Sequence, residues 1–594
     1  MRLRSSLLLL AALTLLFSLP LNAADNPDIL PLSDIHPGMK GVAYTIFSGD
    51  QIEQMQVTVL GVLSDAMGPK QDIILVELSG AEVAKTGVVA GMSGSPVYFN
   101  GKLAGAISLQ IGDFPKDPIA GVTPIQNMLD IQNAMEPVVE AGTSMPATSQ
   151  TASQNAPFDL PQKVALGGNQ FLVPIETPLV LSGVLPQTLS RFSSDFQSYG
   201  LSTMAGGTVP PSAEDAQLKP GDMVGMQLVS GDMSAYAGCT VTAIIHGRVF
   251  VCGHPFNGFG SVSIPMTRAY VVATLASLRE STKIMNTGGV IGTFKQDTIT
   301  GVVGQLGPGP KMIPVTVNVT TSTQQRHFHF NVVEDPKLTP LLVALSAYNG
   351  LVTNTAFTDG TTLRLDGEIG ITGHPSVDLR GMFVPSDTPL PDGYPLAIAV
   401  ESAFARIYTN PYEVPKVQNV TINVNSMPES RWSTIDGAWA DSSEVHPGQT
   451  INIKVLLHPY RGAPFIQEVP VTIPPQAARG NLQVLVSDAE SLNRMRELFP
   501  GQGEANLQGL DELIRILNRE RQNDRLYITL WENAPTLLVE DKELPNVPAS
   551  EINVLDQRRM PGGAQLLYQS EIGEHSVPMT QVISGRQYLS VTVK

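Results

Sequence analysis

The sequence predicts a mainly β fold, and three observations indicate it. Only 15 % of the residues are charged, and the 594-residue chain contains 53 glycines and 46 prolines. This composition suits short strands joined by turns better than long solvated helices. Apolar, β-branched runs recur between turn-forming residues, and Asn100-Gly101 separates two of them. Because both residues tolerate the positive φ of a type I′ turn, this dipeptide is typical of a β-hairpin.

The first strand-rich segment extends from Gly38 to Gln110. Its apolar runs predict strands at 42–47, 56–63 and 73–78 and a hairpin over 97–108. A helix is expected from about Pro124, with Thr123 as its cap. Residues 140–160 are rich in Ser, Thr, Ala, Gln and Pro without periodicity, which indicates a linker or an exposed loop.

A second strand-rich segment extends from about 165 to 335, with a helix predicted at Thr267 to Leu278. It contains both cysteines, Cys239 and Cys252, on either side of a hairpin that turns at His246-Gly247. A two-residue turn there pairs position 239 with position 254, which leaves the cysteines diagonal to each other. Diagonal neighbours have poor disulfide geometry, so two buried thiols are at least as well supported as a disulfide.

The length of the chain predicts roughly two to four domains, since one hydrophobic core rarely serves so many residues. The run Val445 to Thr450, followed by alternating residues from Ile451 to Val455, is typical of a β-sandwich. Ser487 with Glu490 forms a capping box that begins a helix to about Phe499, and a second helix is expected from Leu510 to Gln522. The predicted segments are a signal peptide at 1–23, a serine-bearing half of the core at 24–139, a linker at 140–160, a histidine-bearing half at 161–335, a mixed region at 336–429, a β-sandwich-like module at 430–485 and a mixed α/β C-terminal region at 486–594.

The N-terminus has the layout of a secretory signal peptide. Arg2 and Arg4 form a positive region, Leu7 to Leu19 is almost unbroken apolar sequence, and the small residue Ala23 stands at the expected cut. An uncleaved anchor is the alternative, but the apolar stretch is short for a membrane span. We therefore expect an exported bacterial protein, periplasmic or secreted, with no integral membrane segment after cleavage. The net charge of −17 argues against nucleic-acid or anionic-membrane binding, which needs a basic face.

The hexapeptide Gly91-Met92-Ser93-Gly94-Ser95-Pro96 is the strongest candidate for a catalytic loop. Glycines on both sides of Ser93 permit a tight backbone that exposes its hydroxyl. They also let the amides of Gly91 and Ser93 point together at a tetrahedral oxyanion. Chymotrypsin-like proteases place their nucleophile in a similar Gly-Asp-Ser-Gly-Gly-Pro loop that leads into a hairpin. Ser93 holds the first Ser position of that pattern and is preferred over Ser95; a plain Gly/Ser turn is the alternative.

Residues 86–96, followed by Asn100-Gly101-Lys102-Leu103-Ala104-Gly105-Ala106, closely resemble the SpoIVB-type peptidase family. These are serine peptidases of bacterial sporulation signalling that cut a partner protein outside the forespore membrane. The resemblance covers residues 38–110, which look like the serine-bearing half of the family. It implies a chymotrypsin-like double β-barrel core and a nucleophile at Ser93.

The resemblance assigns the general base to His254. In the family the catalytic histidine follows a strand hairpin, and here Gly253-His254-Pro255 follows the hairpin at His246-Gly247. His374, in a second Gly-His-Pro, is the rival, although it lacks that hairpin. His327 and His329 share a strand face and could bind metal, but no third ligand is near in sequence, so we expect neither a metal site nor a cofactor.

The two halves are in permuted order, since in the family the histidine half precedes the serine half. Catalytic triads are defined by geometry and not by chain order, so we expect 25–135 and 165–335 to pack around one cleft. The catalytic acid is unresolved, because the resemblance places Ser79 where the family has an aspartate. Asp72 and Asp297 are the candidates, and a Ser–His dyad or an inactive site is the alternative.

Two functions are consistent with the sequence. The first is an exported serine endopeptidase that cuts a protein or peptide, with an envelope partner or the enzyme itself as substrate. The second is an inactive protease-fold scaffold that binds envelope proteins or glycans. The missing aspartate and the long C-terminal extension favour the scaffold, whereas the serine loop and His254 favour the peptidase.

Overall fold

The structure, a computed structural model, describes most of the chain from residue 27 onward. The described residues are 27–112, 116–133, 163–167, 170–208, 217–354, 360–385, 392–497, 509–533, 536–539, 542–544, 547–548, 550, 565–567 and 570–594. The predicted signal peptide at 1–23 and the linker at 140–160 lie outside them. Strands dominate the described residues, so the prediction of a mainly β fold is confirmed.

The chain divides into two compact units. The first is built from described residues up to Gly183 together with 191–228 and 234–310, and the second from 184–190, 229–233 and 311–594. Both segments that carry the predicted catalytic residues therefore contribute to the first unit.

The first unit is built mainly from strands. In chain order they are β1 (Lys40–Ile46), β2 (Ile52–Leu63), β3 (Ile73–Ser79), β4 (Val89–Ala90), β5 (Pro96–Phe99), β6 (Lys102–Ile111), β7 (Ile119–Pro124), β8 (Val164–Gly167), β9 (Gln170–Pro174), β10 (Thr177–Ser182), β11 (Leu201–Ala205), β12 (Gly207–Thr208), β13 (Met223–Gly231), β14 (Ser234–Ile245), β15 (Arg248–Val251), β16 (Gly260–Leu275), β17 (Ser281–Thr298) and β18 (Gly301–Leu306). Its helices are α1 (Val83–Thr86), α2 (Ile125–Asn133) and most of α3 (Pro186–Ser198), and a 3₁₀ turn lies at Leu32–Asp34.

The serine-bearing half folds into a closed six-stranded barrel. Its strand order is β1-β2-β3-β7-β6-β5, and β5 pairs with β1 to close it. Side chains alternate along these strands, so Val57, Val59, Ile74 and Val76 point into one buried core. Strands β9 and β8 extend the sheet beyond β6. The barrel agrees with the protease-type core expected from the sequence.

The histidine-bearing half forms a second ring of strands. β14, β15, β18, β17, β16 and β13 pair in that order, and β13 pairs back to β14. The helix predicted at Thr267 to Leu278 is wrong, because residues 267–275 belong to the long strand β16 and residues 276–278 follow it without forming a helix. Its β-branched residues alternate between buried and exposed positions, as Val271 and Val272 do, and pairing with β17 fixes that register.

Two predicted hairpins and one helix are confirmed. Asn100 and Gly101 have φ values of 51° and 77°, and His246 and Gly247 have 51° and 75°. These values suit type I′ turns, whose twist matches that of the flanking strands. Helix α2 begins at Ile125, close to the predicted start at Pro124, whereas the predicted cap Thr123 belongs to β7.

The second unit begins with a mixed sheet and two helices. Its strands are β19 (Ile313–Thr320), β20 (Gln325–Val332), β21 (Thr362–Ile371), β22 (Val377–Phe383) and β23 (Val417–Met427), and its helices are α4 (Thr339–Asn354) and α5 (Tyr394–Tyr408). The strand order is β20-β19-β23-β21-β22. The helices pack against each other through Tyr348 and Tyr394, whose rings meet edge to face at 5.9 Å.

A β-sandwich follows in the second unit. It contains β24 (Trp432–Ala440), β25 (Glu444–Val445), β26 (Thr450–Pro459), β27 (Phe465–Thr472), β28 (Gly480–Ser487) and β29 (Arg525–Glu532), and after the small strands β30 (Thr536–Val539), β31 (Lys542–Leu544) and β32 (Gln565–Leu567), which form a separate sheet, it also contains β33 (Ser570–Pro578), β34 (Val582–Ser584) and β35 (Arg586–Val593). Sheets β27-β26-β24-β34 and β25-β35-β28-β29-β33 share one apolar core. The sandwich therefore draws on strands well beyond the segment 430–485.

Two helices, α6 (Ala489–Glu497) and α7 (Leu510–Asn518), lie between strands β28 and β29. The expected cap Ser487 is the last residue of β28, and Asp488 caps α6 instead by accepting the Ser491 amide at 2.5 Å. Within the described residues, no helix has both the length and the apolar character needed to cross a membrane.

Candidate active site

The loop that carries Ser93 connects β4 to β5, and its shape depends on two glycines. Gly91 and Gly94 have φ values of 89° and 95°, in the left-handed region that favours glycine. At Gly94 there is no room for a side chain, since a Cβ there would lie 2.0 Å from the Thr240 carbonyl oxygen. The close approach of the two halves thus explains the glycine that follows the serine.

Hydrogen bonds hold this loop to both halves of the first unit. The Gly94 amide donates at 2.7 Å to the carbonyl of Ile107, which lies on β6. From β14, the Thr240 amide donates to the Ser93 carbonyl at 2.9 Å and the Thr242 hydroxyl donates to the Gly94 carbonyl at 2.7 Å. The serine loop is therefore built jointly by the two halves.

The Ser93 side chain points at a disulfide bond. Ser93 is 0 % exposed, and its Oγ lies 3.8 Å from Cys239 Sγ. Cys239 is bonded to Cys252, so the preference for two free thiols is wrong. A β-bulge between Val241 and Ala243 shifts the hairpin register by one residue, which brings the two Cα atoms to 5.2 Å, within disulfide range.

His254 lies two residues after that disulfide. Cys252 and Gly253 have φ values of 67° and 71°, so the chain turns sharply as it leaves β15. The side chain is buried and its Nδ1 lies 2.7 Å from the Pro255 carbonyl oxygen, while its Nε2 is buried and has no hydrogen-bond partner among the described residues. The Pro255 carbonyl can only accept, so the proton belongs on Nδ1 and the Nε2 lone pair is available.

The electrostatic environment keeps His254 neutral. Burial lowers the pKa of His254 from its usual 6.5 to about 4, and the hydrogen bond to Pro255 acts in the opposite direction. A neutral imidazole at physiological pH is the form that a general base requires.

Ser93 and His254 contribute to one junction but are not hydrogen-bonded to each other. Cys239 contacts the serine and is covalently linked to the strand end that precedes the histidine. Across the described part of the chain, however, no hydrogen bond joins Ser93 Oγ to His254 Nε2. The amide of Gly91, predicted to bind the oxyanion, donates at 3.3 Å to the Glu176 carbonyl.

The two candidate acids occupy different places. Asp72 lies just before β3, and its Oδ1 accepts the Asp65 amide at 2.8 Å. Asp297 on β17 is buried and accepts the amides of Phe256, Asn257 and Phe259 at 2.7, 2.8 and 3.2 Å. Burial raises the pKa of Asp297, while the amides around it act in the opposite direction. Asp297 therefore holds the loop that follows His254, and neither carboxylate bonds to the histidine ring.

A cavity of about 1000 Å³ lies where the two halves meet. Its lining comes from both of them and includes Asp72, Thr123, Glu176, His254 and Asp297. Thr123, expected to cap a helix, donates instead to the Gly253 carbonyl at 2.6 Å and so ties the first barrel to the histidine loop. Ser93 does not line the cavity, consistent with its complete burial.

The other histidines have separate partners. His374 belongs to the second unit, where its Nδ1 lies 2.8 Å from Asp511 Oδ1 and its Nε2 lies 3.5 Å from Glu413 Oε1. His327 Nδ1 lies 2.6 Å from Asn318 Oδ1, and the His329 amide donates to Asp232. Among the residues that the structure describes, no cluster of three His, Cys, Asp or Glu side chains could hold a metal ion.

Lys283 is a buried residue beside the site that sequence reasoning missed. It is 0 % exposed, its Nζ donates to Thr45 Oγ1 at 2.8 Å, and burial lowers its pKa to about 7. Its side chain packs against Gly91, since a Cβ there would lie 3.5 Å from Lys283 Cδ. The alternation of side chains along a strand could have predicted this burial, because Ser281, Lys283 and Met285 all lie on the buried face of β17.

A comparison with known proteins matches part of the chain to a peptidase family. No curated protein and no solved structure matches the chain. The family model described as SpoIVB peptidase S55 matches residues 23–129, which contain β1 to β7 and the Ser93 loop, whereas His254 lies outside the match. The resemblance to the SpoIVB-type peptidase family is therefore confirmed over residues 23–129.

Proposed function

We propose that this protein is an exported serine endopeptidase of the SpoIVB type, with Ser93 as nucleophile and His254 as general base. The observation that carries the proposal is the junction around the disulfide. Ser93 Oγ contacts Cys239, and the chain that Cys239 binds leads within two residues to a histidine whose Nε2 is unprotonated and unpartnered. The family match and the predicted signal peptide support peptidase activity and export.

The proposed chemistry follows from these groups. His254 Nε2 accepts the Ser93 hydroxyl proton as Oγ attacks the scissile carbonyl carbon, and the amides of Gly91 and Ser93 bind the oxyanion. The imidazolium then gives its proton to the leaving amine, and an acyl-enzyme remains on Ser93. Water, deprotonated by His254, hydrolyses that ester and releases the carboxylic acid product.

The Nδ1 contact supports the role of His254 as base. A proton held on Nδ1 by the Pro255 carbonyl fixes the tautomer, which is the task of an aspartate in a full triad. Asp297 fixes the backbone of the same loop through three amides and so acts as a positioning residue. Catalysis requires Ser93 Oγ to turn from Cys239 toward His254.

A second candidate function is supported by the burial of Ser93. A protease-fold scaffold that binds envelope proteins or glycans needs no accessible hydroxyl, and Ser93 is fully buried without a hydrogen bond to His254. The vacant Nε2 disfavours the scaffold, because a buried nitrogen without a partner costs stability and is most readily explained by a role in chemistry.

A fluorophosphonate probe tests the choice between these functions. The mature protein should be labelled covalently, and labelling should be lost in Ser93→Ala and fall at least about a hundredfold in His254→Gln. Ser95→Ala is the matched control, since the hydroxyl of this buried neighbour donates to the Met92 carbonyl at 2.7 Å. Labelling that persists in Ser93→Ala, or that is absent from the wild type at every probe concentration, contradicts the peptidase.

A further inference from the structure

We propose that residues 170–177, here called the cover segment, occupy the peptide-binding groove of the Ser93 site as an internal pseudosubstrate. The natural substrate is then an extended peptide that takes the same place after the cover segment leaves. This inference rests on the proposed function for the identity of the groove, and it adds a substrate geometry and a mode of regulation.

The cover segment pairs with β6, the second strand of the hairpin that follows the serine loop. β9 runs antiparallel to β6, with Leu109 opposite Pro174 and Ile111 opposite Leu172. The pairing continues past β9, because the Ile175 amide donates to the Ser108 carbonyl at 2.9 Å. Without the cover segment, this edge of β6 would present unpaired amides and carbonyls, which is the surface that an extended peptide binds by strand addition.

The same segment also forms a hydrogen bond with an amide that is proposed to bind the oxyanion. The Gly91 amide, assigned to the oxyanion, donates to the Glu176 carbonyl at 3.3 Å. A substrate must place its scissile carbonyl at that amide, so it cannot bind productively while Glu176 is there. Pro178 lies against the other side of the loop, since a Cβ at Gly91 would stand 3.3 Å from its Cγ.

Apolar side chains hold the cover segment in place. Leu172 packs with Ile73, Leu109 and Ile111, and Ile175 joins the core of the first barrel. Lys163 caps the outer end, with Nζ 4.4 Å from the centroid of the Phe171 ring. A peptide that replaces the segment should therefore carry apolar residues at the positions corresponding to Leu172 and Ile175.

The inner end of the cover segment carries a carboxylate that faces another one. Glu176 lies beside Glu280, whose carboxyl also interacts with Gln110 and Arg279. Two carboxyl groups at close range are held together only while one is protonated. The contact can therefore be broken by ionisation, as expected of a segment that has to leave the groove.

The test compares Ile175→Pro with Ala205→Pro. Ile175→Pro removes the amide that donates to Ser108, whereas Ala205 is an exposed position on β11 outside these contacts. We expect fluorophosphonate to label Ser93 about tenfold faster in Ile175→Pro, the factor expected from the loss of one backbone hydrogen bond, and at the wild-type rate in Ala205→Pro. Equal labelling rates of Ser93 in the wild type and in Ile175→Pro would overturn the inference that the cover segment blocks the groove, without contradicting the proposed peptidase activity.

Peptide binding separates this inference from the proposed function. A fluorescein-labelled peptide with the sequence of residues 170–177 should bind Ile175→Pro in an anisotropy titration and bind the wild type at least about tenfold more weakly. If fluorophosphonate labels neither protein but the peptide binds in this pattern, the proposed peptidase activity is wrong and the proposed peptide-binding groove is supported. Equal binding to both proteins, or binding to neither, overturns the groove.

Amide exchange in the wild type covers the case in which Ile175→Pro does not fold. The Gly91 and Ile175 amides should both be protected from exchange. The Gly91 amide donates to the Glu176 carbonyl of the cover segment, and the Ile175 amide of the cover segment donates to the Ser108 carbonyl. Exchange of the Gly91 amide at the rate of an exposed loop overturns the inference without any variant.

Discussion

Ser93 Oγ lies 3.8 Å from Cys239 Sγ, and the disulfide that Cys239 forms with Cys252 leads directly to the His254 loop. One covalent bond thus links the wall against which the serine packs to the residue proposed as its base.

Replacement of both cysteines should destabilise the first unit. The disulfide closes a loop with a sequence separation of 13, and cross-links of that size contribute roughly 2–4 kcal/mol by restricting the unfolded chain. Cys239→Ala/Cys252→Ala should therefore unfold at lower urea concentration, and fluorophosphonate should label its Ser93 more slowly because the loop that holds His254 is looser. A double variant with the same urea midpoint as the non-reduced wild type would contradict this prediction. As a control, the wild type with its disulfide reduced should unfold at the same urea midpoint as the double variant.

Gly94→Ala should disrupt the serine loop. The added Cβ would lie 2.0 Å from the Thr240 carbonyl oxygen, on top of a left-handed φ, so we expect a loss of more than ~3 kcal/mol in unfolding free energy. Gly101→Ala is the matched control, because its φ is 77° but no atom lies within 4 Å of the Cβ position. Gly101→Ala should lower the unfolding free energy by only about 1–2 kcal/mol, which is the cost of a left-handed backbone for a residue with a Cβ. Equal losses would show that the contact with Thr240 is unimportant.

Stability should fall on acidification because of His254. Its pKa in the folded protein is about 4, below the ordinary 6.5, so the unfolded chain binds the proton first. The stabilisation is complete above pH 6.5 and is lost between pH 6.5 and 4, by up to about 3 kcal/mol. Urea midpoints measured across this range should depend less on pH in His254→Gln. Parallel pH profiles for the two proteins would contradict a buried, neutral histidine.

Labelling of Ser93 should increase between pH 4.5 and 7 because of Glu280. Burial, and then the neighbouring Glu176, raise the pKa of Glu280 from 4.5 to about 7, while a hydrogen bond with Gln110 and the charge of Arg279 act in the opposite direction. Since this pKa is raised, stabilisation of the cover segment by the protonated carboxyl is complete below pH 4.5 and is lost as pH rises to about 7, above which it changes no further. The labelling rate of the wild type divided by that of Glu280→Gln should therefore rise between pH 4.5 and 7 and level off above pH 7. A ratio that stays constant across this range would exclude control by this pair.

The sequence by itself determined the local features of the site. The hairpins at Asn100-Gly101 and His246-Gly247 were predictable because few residues tolerate positive φ, and the Ser93 loop because its glycines recur in one family. Strand character was predictable wherever apolar residues alternated. The segment Thr267 to Leu278 was mistaken for a helix because its apolar residues also fit a helical period, and only pairing with β17 selects the strand.

Tertiary structure decided everything that depends on contacts between distant residues. A single bulge near Val241 brought Cys239 and Cys252 into bonding range, which no turn rule could indicate. The burial of Lys283 and the carbonyl of Glu176 at the Gly91 amide likewise arise from packing between the two halves. Sequence patterns record the preferences of neighbouring residues, whereas register, burial and the occupation of a groove are set by the sum of many long-range contacts.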